Sequence, residues 1–264
     1  MASSVLLAHI SPNCHREQTL VLHSKNVGRL CAGFCKRIGL ESLGRLTGLL
    51  HDCGKATSAF QTYLRSGDNS MRGQIPHSFC GARYSWQEWG TGNVIKKLTA
   101  ELASTAICAH HGGLPDVTGI DAEDNLHRRA WPEKQVCYEE ALDSFFQDIS
   151  QKGLDELFEK AQKEVSCTCI KIRSICNSMP PAVKKQTFYF FLGLVQRYLL
   201  SCLLDADRYD AFLFEAAKEP EPEPDLPGLW NRLAINLEEH LQTLSSNTPI
   251  NRIRHEISEQ CFAF

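Results

Sequence analysis

The stretch LLHDCGKATSAF, residues 49–60, sets His51 and Asp52 side by side at the inner end of an apolar run, with Gly54 and Lys55 just beyond. Imidazole and carboxylate both ligate divalent metals, and neither is buried without cost unless it has a partner. Such a pair is either matched quietly inside the protein or holds a metal. Four more histidines occupy telling places. His23 lies on an apolar helical face, His77 opens a segment of helical period, and His110 and His111 close another just before Gly112 and Gly113. Asp205 and Asp207 stand near the end of the most hydrophobic run, residues 188–212. Singly, each has an ordinary explanation: His23 as a hydrogen-bonded core residue, His77 as a helix cap, Asp207 as the partner of Arg208. In the order H…HD…H…HH…D they point together to a metal centre. The donors exceed the needs of one tetrahedral ion. They suit two ions that share a bridging carboxylate, about 3.5–4 Å apart as in two-metal hydrolases. Neutral imidazole and carboxylate favour Mn, Fe, Co, Ni or Zn. His9, His15, His127, His240 and His255 fall outside the pattern and receive no ligand role.

Helices must position these residues, because helical period dominates the chain and strands are hard to find. Residues 16–39 carry Leu20, His23, Val27, Leu30, Phe34 and Ile38 on one face. A second helix spans 41–53, opened by Glu41 or Ser42 and closed by Gly54. A short third helix covers 57–64 with Thr57 or Ser58 as N-cap. Residues 67–76 read as a loop, 77–89 as a helix starting at His77, and 94–111 as a helix stopped by the two glycines. Residues 112–135 read as a long loop or short helical turns, followed by more polar helices over 135–150 and 153–176. Pro180 and Pro181 open a long apolar helix to about residue 217, and two further helices fall near 229–245 and 250–261. The predicted fold class is all-α. The expected domains are 1–217, an acidic Pro-rich loop over 218–228, and C-terminal helices over 229–264 that pack on the first domain.

Composition narrows the function further. At 264 residues and a formal net charge of −3, the chain is no charge-driven nucleic-acid binder, so any DNA contact is local, cation-assisted or supplied by a partner. The 12 cysteines include no C-x-x-C pair, and Cys167 with Cys169 forms a lone C-x-C. Reduced thiols in a cytoplasmic protein are the simplest reading. The N-terminal MASSVLLAHI lacks the basic region of a secretory signal. Gln196, Arg197, Asp205 and Asp207 interrupt or close the apolar run, so a buried core helix explains it better than a membrane span. No phosphate-binding G-x-x-x-x-G-K-[ST] loop is present, which excludes an ATP-driven translocase from these residues.

The stretches LLAHISP, REQTLVLHSKNVGRL, LLHDCGKATSAFQTYL, HS at 77–78, ICAHHGG and LLDADRYDA together resemble the HD metal-dependent phosphohydrolase superfamily. The closer resemblance is to the HD nuclease domain of the type I CRISPR helicase-nuclease. It implies an HD-domain helical bundle with a metal site in a cleft between helices. By position, His23, His51, Asp52 and Asp207 would hold one divalent ion, and Asp52, His77, His110 and His111 the other, with Asp52 as the bridge. The family's A-D dipeptide favours Asp207 over Asp205, which two residues away on a helix cannot point the same way. Lys55 would bind or neutralise phosphate, alongside His51 and Asp52 as catalytic residues. The implied activity is metal-dependent hydrolysis of single-stranded DNA in CRISPR interference. The implied partners are a helicase domain or subunit, towards which the tail TPINRIRHEISEQC leads, and an RNA-guided surveillance complex that opens the target. A nucleotidase or phosphodiesterase of the same superfamily, acting on small nucleotides, shares His51, Asp52 and the late Asp.

Overall fold

The computed structural model describes residues 5–11, 16–68, 70, 75, 77–114, 137–220, 226–244 and 247–262. Most of the two segments expected as loops, 67–76 and 112–135, lies outside the described residues. Helices make up 77% of the structure, ten of them among the described residues, as the all-α expectation requires. The chain divides into two compact units, Met1–Lys218 and Glu219–Phe264.

The first unit opens with strands that helical period does not announce. Strand β1 (Leu7–Ile10) pairs antiparallel with β2 (Glu17–Thr19), with an irregularity between Leu7 and His9. Residues 16–19 therefore do not begin the first helix. Helix α1 (Leu20–Lys36) starts at Thr19, whose hydroxyl accepts from Leu22 N at 3.3 Å. The other edge of β1 is satisfied by a side chain. Gln61 accepts from Leu7 N and donates to Leu7 O, each at 2.9 Å, and so imitates a strand partner.

Helix α2 (Glu41–Leu50) is opened by neither Glu41 nor Ser42. Its cap comes from far along the chain: the Glu164 carboxylate accepts from Ser42 N at 2.8 Å and Leu43 N at 3.1 Å. An anion at a helix N-terminus also meets the positive end of the helix dipole. Helix α2 stops at Leu50, and a 3₁₀ turn follows (Cys53–Ala56). Helices α3 (Ser58–Ser66), α4 (Cys80–Trp89), α5 (Val94–Ala109), α6 (Tyr138–Phe145), α7 (Gln151–Asn177) and α8 (Pro181–Ala216) complete the unit. Thr57 caps α3 by accepting from Phe60 N.

The core has two parts, and α2 and α5 face both. Leu46 and Leu50 pack with Tyr84, Trp89, Ile107, Phe145 and Phe158, where the Trp89 and Phe158 rings stack at 4.4 Å. Leu43 and Leu102 pack with Val27, Cys31, Leu199 and Leu203. Helices α1 and α2 cross closely because two glycines meet: a Cβ on Gly48 would lie 2.8 Å from Gly28 Cα.

Helix α8 corrects the expectation of a buried core helix. It is long and apolar enough to cross a membrane, yet only 22% of that apolar window is buried in the structure. Its buried residues, from Leu199 to Asp210, lie in the C-terminal half, while Tyr189, Phe190 and Leu194 are exposed. The early turns have core neighbours on one side alone. The second unit consists of α9 (Leu226–Gln242) and α10 (Pro249–Phe262), joined by a Ser258 to Glu238 hydrogen bond of 3.2 Å. Because α9 starts at Leu226, the last three residues of the expected 218–228 loop are helical.

Gly54 also departs from its expected role. It does not end α2 but sits within the 3₁₀ turn, where any Cβ would overlap the carbonyl of His77. Backbone rather than a flexible side chain is in the way, so the main chain itself must move. Gly54→Ala is expected to cost about 1–3 kcal/mol of stability and to displace His77. Urea unfolding of the variant checks the first point, and its divalent-metal affinity checks the second.

Candidate metal centre

Three of the histidines stand where a helix ends. His51 is the C-cap of α2, and its Nδ1 donates to Gly48 O at 2.8 Å. His110 is the C-cap of α5, and its Nδ1 donates to Ile107 O at 2.6 Å. Carbonyls in the last turn of a helix have no intrahelical partner, so a ring three residues on can take one up. His111 follows directly. His77 does not open α4, which begins at Cys80. Its main chain is docked on Gly54 instead of wound into a helix, and its Nδ1 donates to Ile75 O at 3.2 Å. His23, in the first turn of α1, donates from Nδ1 to Asp210 Oδ2 at 2.7 Å. Four rings thus use Nδ1 to fix their orientation and turn Nε2 towards a common point.

That point is the carboxylate of Asp52, which is 1% exposed. Its two oxygens face different sets. Oδ2 lies 3.3 Å from His23 Nε2, 3.2 Å from His51 Nε2 and 2.8 Å from Lys55 Nζ. Oδ1 lies 3.6 Å from His110 Nε2 and 3.8 Å from His77 Nε2. Asp207 closes the first set, its Oδ1 3.4 Å from His23 Nε2 and 3.6 Å from His51 Nε2. His111 closes the second, its Nε2 2.9 Å from His77 Nε2. Asp205 projects from the exposed face of α8 and takes no part.

The donors fit a metal. His23, His51, Asp52 and Asp207 each offer one atom, all within 4.8 Å of one another, and Asp52, His77 and His111 form a second such group. His110 stands against the same Asp52 oxygen as His77 but is not in that second group. The buried Nε2 atoms of His23, His51 and His110, and Asp52 Oδ1, lack any hydrogen-bond partner. Four orphaned polar atoms at one point are costly unless something else binds there. Imidazole Nε2 and carboxylate suit a divalent first-row ion, and cysteine is in neither group.

Three neighbours lie within the stretches LLAHISP and LLDADRYDA but receive no role from the sequence. Asp210 is buried on α8, one turn beyond Asp207, and accepts from Gln18 Nε2 and Asn26 Nδ2 at 2.8 Å as well as from His23. His9 on β1 sets its ring edge-on to His23 at 4.8 Å. Ala8 O accepts from Lys55 Nζ at 3.4 Å. The one signal in the sequence is the i, i+3 spacing of Asp207 and Asp210, which puts both on one helix face.

Without metal the cluster neutralises itself. Burial opposes charge on His23, but the nearby carboxylates of Asp207, Asp210 and Asp52 outweigh it and raise its pKa from 6.5 to about 9. Burial also opposes charge on His51, yet the nearby carboxylates of Asp52 and Asp207 raise it to about 10. Burial works against ionising Asp52, but His51 and Lys55 hold its carboxyl well below the usual range. Burial lowers His9 to about 3, with Lys55 and His23 adding to the effect. Burial, then the charge of His110, lowers His111 to about 4.

The sign of each shift sets a pH dependence. His23 and His51 stabilise the metal-free fold fully below 6.5, and that contribution is lost as pH rises through about 9 and 10. His9 and His111 act oppositely: the unfolded chain binds their protons more readily, so stability falls as pH drops below 6.5 towards 3–4. Metal-free protein is therefore expected to be most stable near pH 6.5, with lower urea midpoints at pH 5 and pH 9.5. A metal must displace the protons on His23 and His51, so its affinity should rise across pH 6.5–9 with proton release, which calorimetry in buffers of different ionisation heat reads directly.

The sequence matches the family described as Cas3, HD domain over residues 16–176, a span that holds His23, His51, Asp52, Lys55, His77, His110 and His111 and stops short of Asp207. No curated protein matches it. With the match covering more than half of the chain and the His/Asp cluster lying between its helices, the chain belongs to the Cas3 HD-domain family, HD-type metal-dependent hydrolases of the CRISPR Cas3 kind.

Proposed function

We propose that this chain is a metal-dependent nuclease that hydrolyses the phosphodiester bonds of single-stranded DNA during CRISPR interference. The observation that carries the reading is the shared carboxylate: Asp52 turns Oδ2 to His23 and His51, and Oδ1 to His77 and His110. His23, His51, Asp52 and Asp207 would hold one divalent ion, and Asp52, His77 and His111, with His110 beside them, a second. Bound there, such ions lower the pKa of water towards about 7 and relieve charge on the phosphate oxygens.

The remaining groups suit a phosphodiester. Lys55 spends one N–H on Asp52 and one on Ala8 O, which leaves a third for a phosphate oxygen. His23 and His51 are fully buried, whereas His77 is half-buried and His111 exposed, so substrate reaches the centre from the His77 and His111 side. A single strand can bend its backbone into such a recess more readily than a stiff duplex. The net charge of −3 gives little general attraction for DNA. A helicase, in the same native chain or a separate one, supplies the strand, and an RNA-guided complex opens the target.

The test is one assay on metal-free protein. Mn²⁺, Fe²⁺, Co²⁺, Ni²⁺, Mg²⁺ or Zn²⁺ is added separately to circular single-stranded DNA, matched duplex and a panel of mononucleotides, with Asp52→Ala alongside. The expected result is cleavage of the circle under a transition metal. In Asp52→Ala it should fall by more than the roughly 10–100-fold that loss of an outer-shell partner costs. An intact circle with phosphate released from mononucleotides would transfer the site to nucleotidase chemistry. Full cleavage by Asp52→Ala would remove the bridge from the mechanism.

A further inference from the structure

The histidines of the centre are oriented in two ways, and His23 is the exception. His51, His77 and His110 each give Nδ1–H to a backbone carbonyl within three residues of themselves. That option depends on chain ends and turns, where carbonyls are free. His23 lies in the first turn of α1, where the carbonyls are committed to N–H groups four residues on. It needs an acceptor from another element, and Asp210 of α8 provides one at 2.7 Å.

The geometry points to Asp210 as the positioning residue of the centre: it takes the Nδ1 proton of His23, fixes the ring plane, and so commits Nε2 to the cluster around Asp52 and Asp207. This rests on the reading of His23 as a metal ligand. Three independent contacts support it. Gln18 on β2 donates to Asp210 Oδ2, and Asn26 on α1 donates to Oδ1, both at 2.8 Å. With His23 as third donor, every contact requires an acceptor, which an ionised carboxylate alone provides at both oxygens. Hydrogen bonds from His23, Gln18 and Asn26 hold the carboxyl below the usual carboxylate range although burial opposes this. A carboxylate behind a ligating imidazole raises the basicity of the ring and fixes its tautomer.

The arrangement also gives the short hairpin a purpose. Gln18 is the buried residue of β2, and its place depends on pairing with His9 in β1. Strand β1 is held in turn by Gln61 at Leu7. Helix α8 then delivers two carboxylates from one face, Asp207 to Nε2 of His23 and Asp210 to Nδ1. The imidazole is thus held at Nδ1 by Asp210, with Asp207 standing 3.4 Å from Nε2.

Asp210→Asn keeps the shape and removes an acceptor, so one of three donors must face an amide N–H₂. The probe is Mn²⁺ alone, titrated into metal-free protein and followed by the EPR signal of the free ion, with the Co²⁺ absorption spectrum as a readout of ligand geometry. Affinity at one of the two binding steps is expected to fall about 10–100-fold in Asp210→Asn, with a changed Co²⁺ spectrum. Leu199→Ala, in the core away from the centre, controls for lost stability and should keep both within twofold. Should Asp210→Asn fail to fold, Asn26→Ala leaves the carboxylate and removes one donor, and a drop of about three- to tenfold is expected. Binding and spectrum within twofold of wild type in Asp210→Asn would overturn the inference, as would an equal loss in Leu199→Ala. His23→Ala separates the two levels. If it binds Mn²⁺ normally, His23 is no ligand and the underlying reading fails; if it loses affinity while Asp210→Asn does not, only the role of Asp210 falls.

Discussion

A carboxylate excluded from water must have its charge answered on all sides, and Asp52 is the group around which the first unit is arranged. Removing an ion of that size from water costs several kcal/mol even after relaxation. The return comes from Lys55 at 2.8 Å and from four imidazoles between 3.2 and 3.8 Å. These partners come from α1, the end of α2, the 3₁₀ turn, the segment before α4 and the end of α5. No short piece of chain can supply them all. The charge therefore couples the placement of five elements, and an error in any one leaves it unmatched in a medium where that is expensive.

The local devices that hold those elements are economical. A helix must stop somewhere, and its last carbonyls are left over. His51 and His110 use them to lock their rings, so the same residue ends the helix and aims a nitrogen. The negative end of the helix dipole also favours a proton or a metal at that spot. Close approach supplies the rest. Gly54 lets the main chain of His77 lie on the 3₁₀ turn, and Gly28 with Gly48 lets α1 and α2 cross tightly enough for His23 and His51 to face one carboxylate.

Much of this was legible in the sequence, and what was not has a physical reason. The period of 3.6 reveals α1, α2 and α5 because each buries one face. It is blind to β2, whose three residues pair with a segment 7–12 positions back that is itself held at Leu7 by Gln61, 54 positions beyond it. The ligand-type residues stood out because their types are costly to bury and because the H…HD…H…HH…D order is specific. Asp207 and Asp205 were separable by helical geometry once a family pattern chose between them, and the exposed position of Asp205 agrees with that choice. Asp210 lay three residues further along in the same stretch, but a residue that acts through another carries no motif. The cap of α2 escapes a local reading for a related reason: Glu164 supplies it from another helix. Hydropathy also misjudged α8, because an apolar composition says how much surface a helix would bury and not how many neighbours are present to bury it.

The asymmetry of the centre follows from the same constraint. The set around Asp52 Oδ2 is the more enclosed, with His23 and His51 fully buried, whereas the set around Oδ1 opens through His77 and His111. Burial strengthens the electrostatics of the enclosed half and makes its carboxylates hold protons on His23 and His51 far above the ordinary imidazole value. In the open half two rings are held uncharged: burial and the neighbouring His110 keep His111 near 4, and burial together with Lys55 lowers His77 against the pull of Asp52. One carboxylate thus divides the centre into a half where metal must compete with protons on His23 and His51 and a half where His77 and His111 are already neutral. Loading of the two is expected to differ in pH dependence even though they share a ligand, because His77 and His111 on the solvent side need no deprotonation whereas His23 and His51 do.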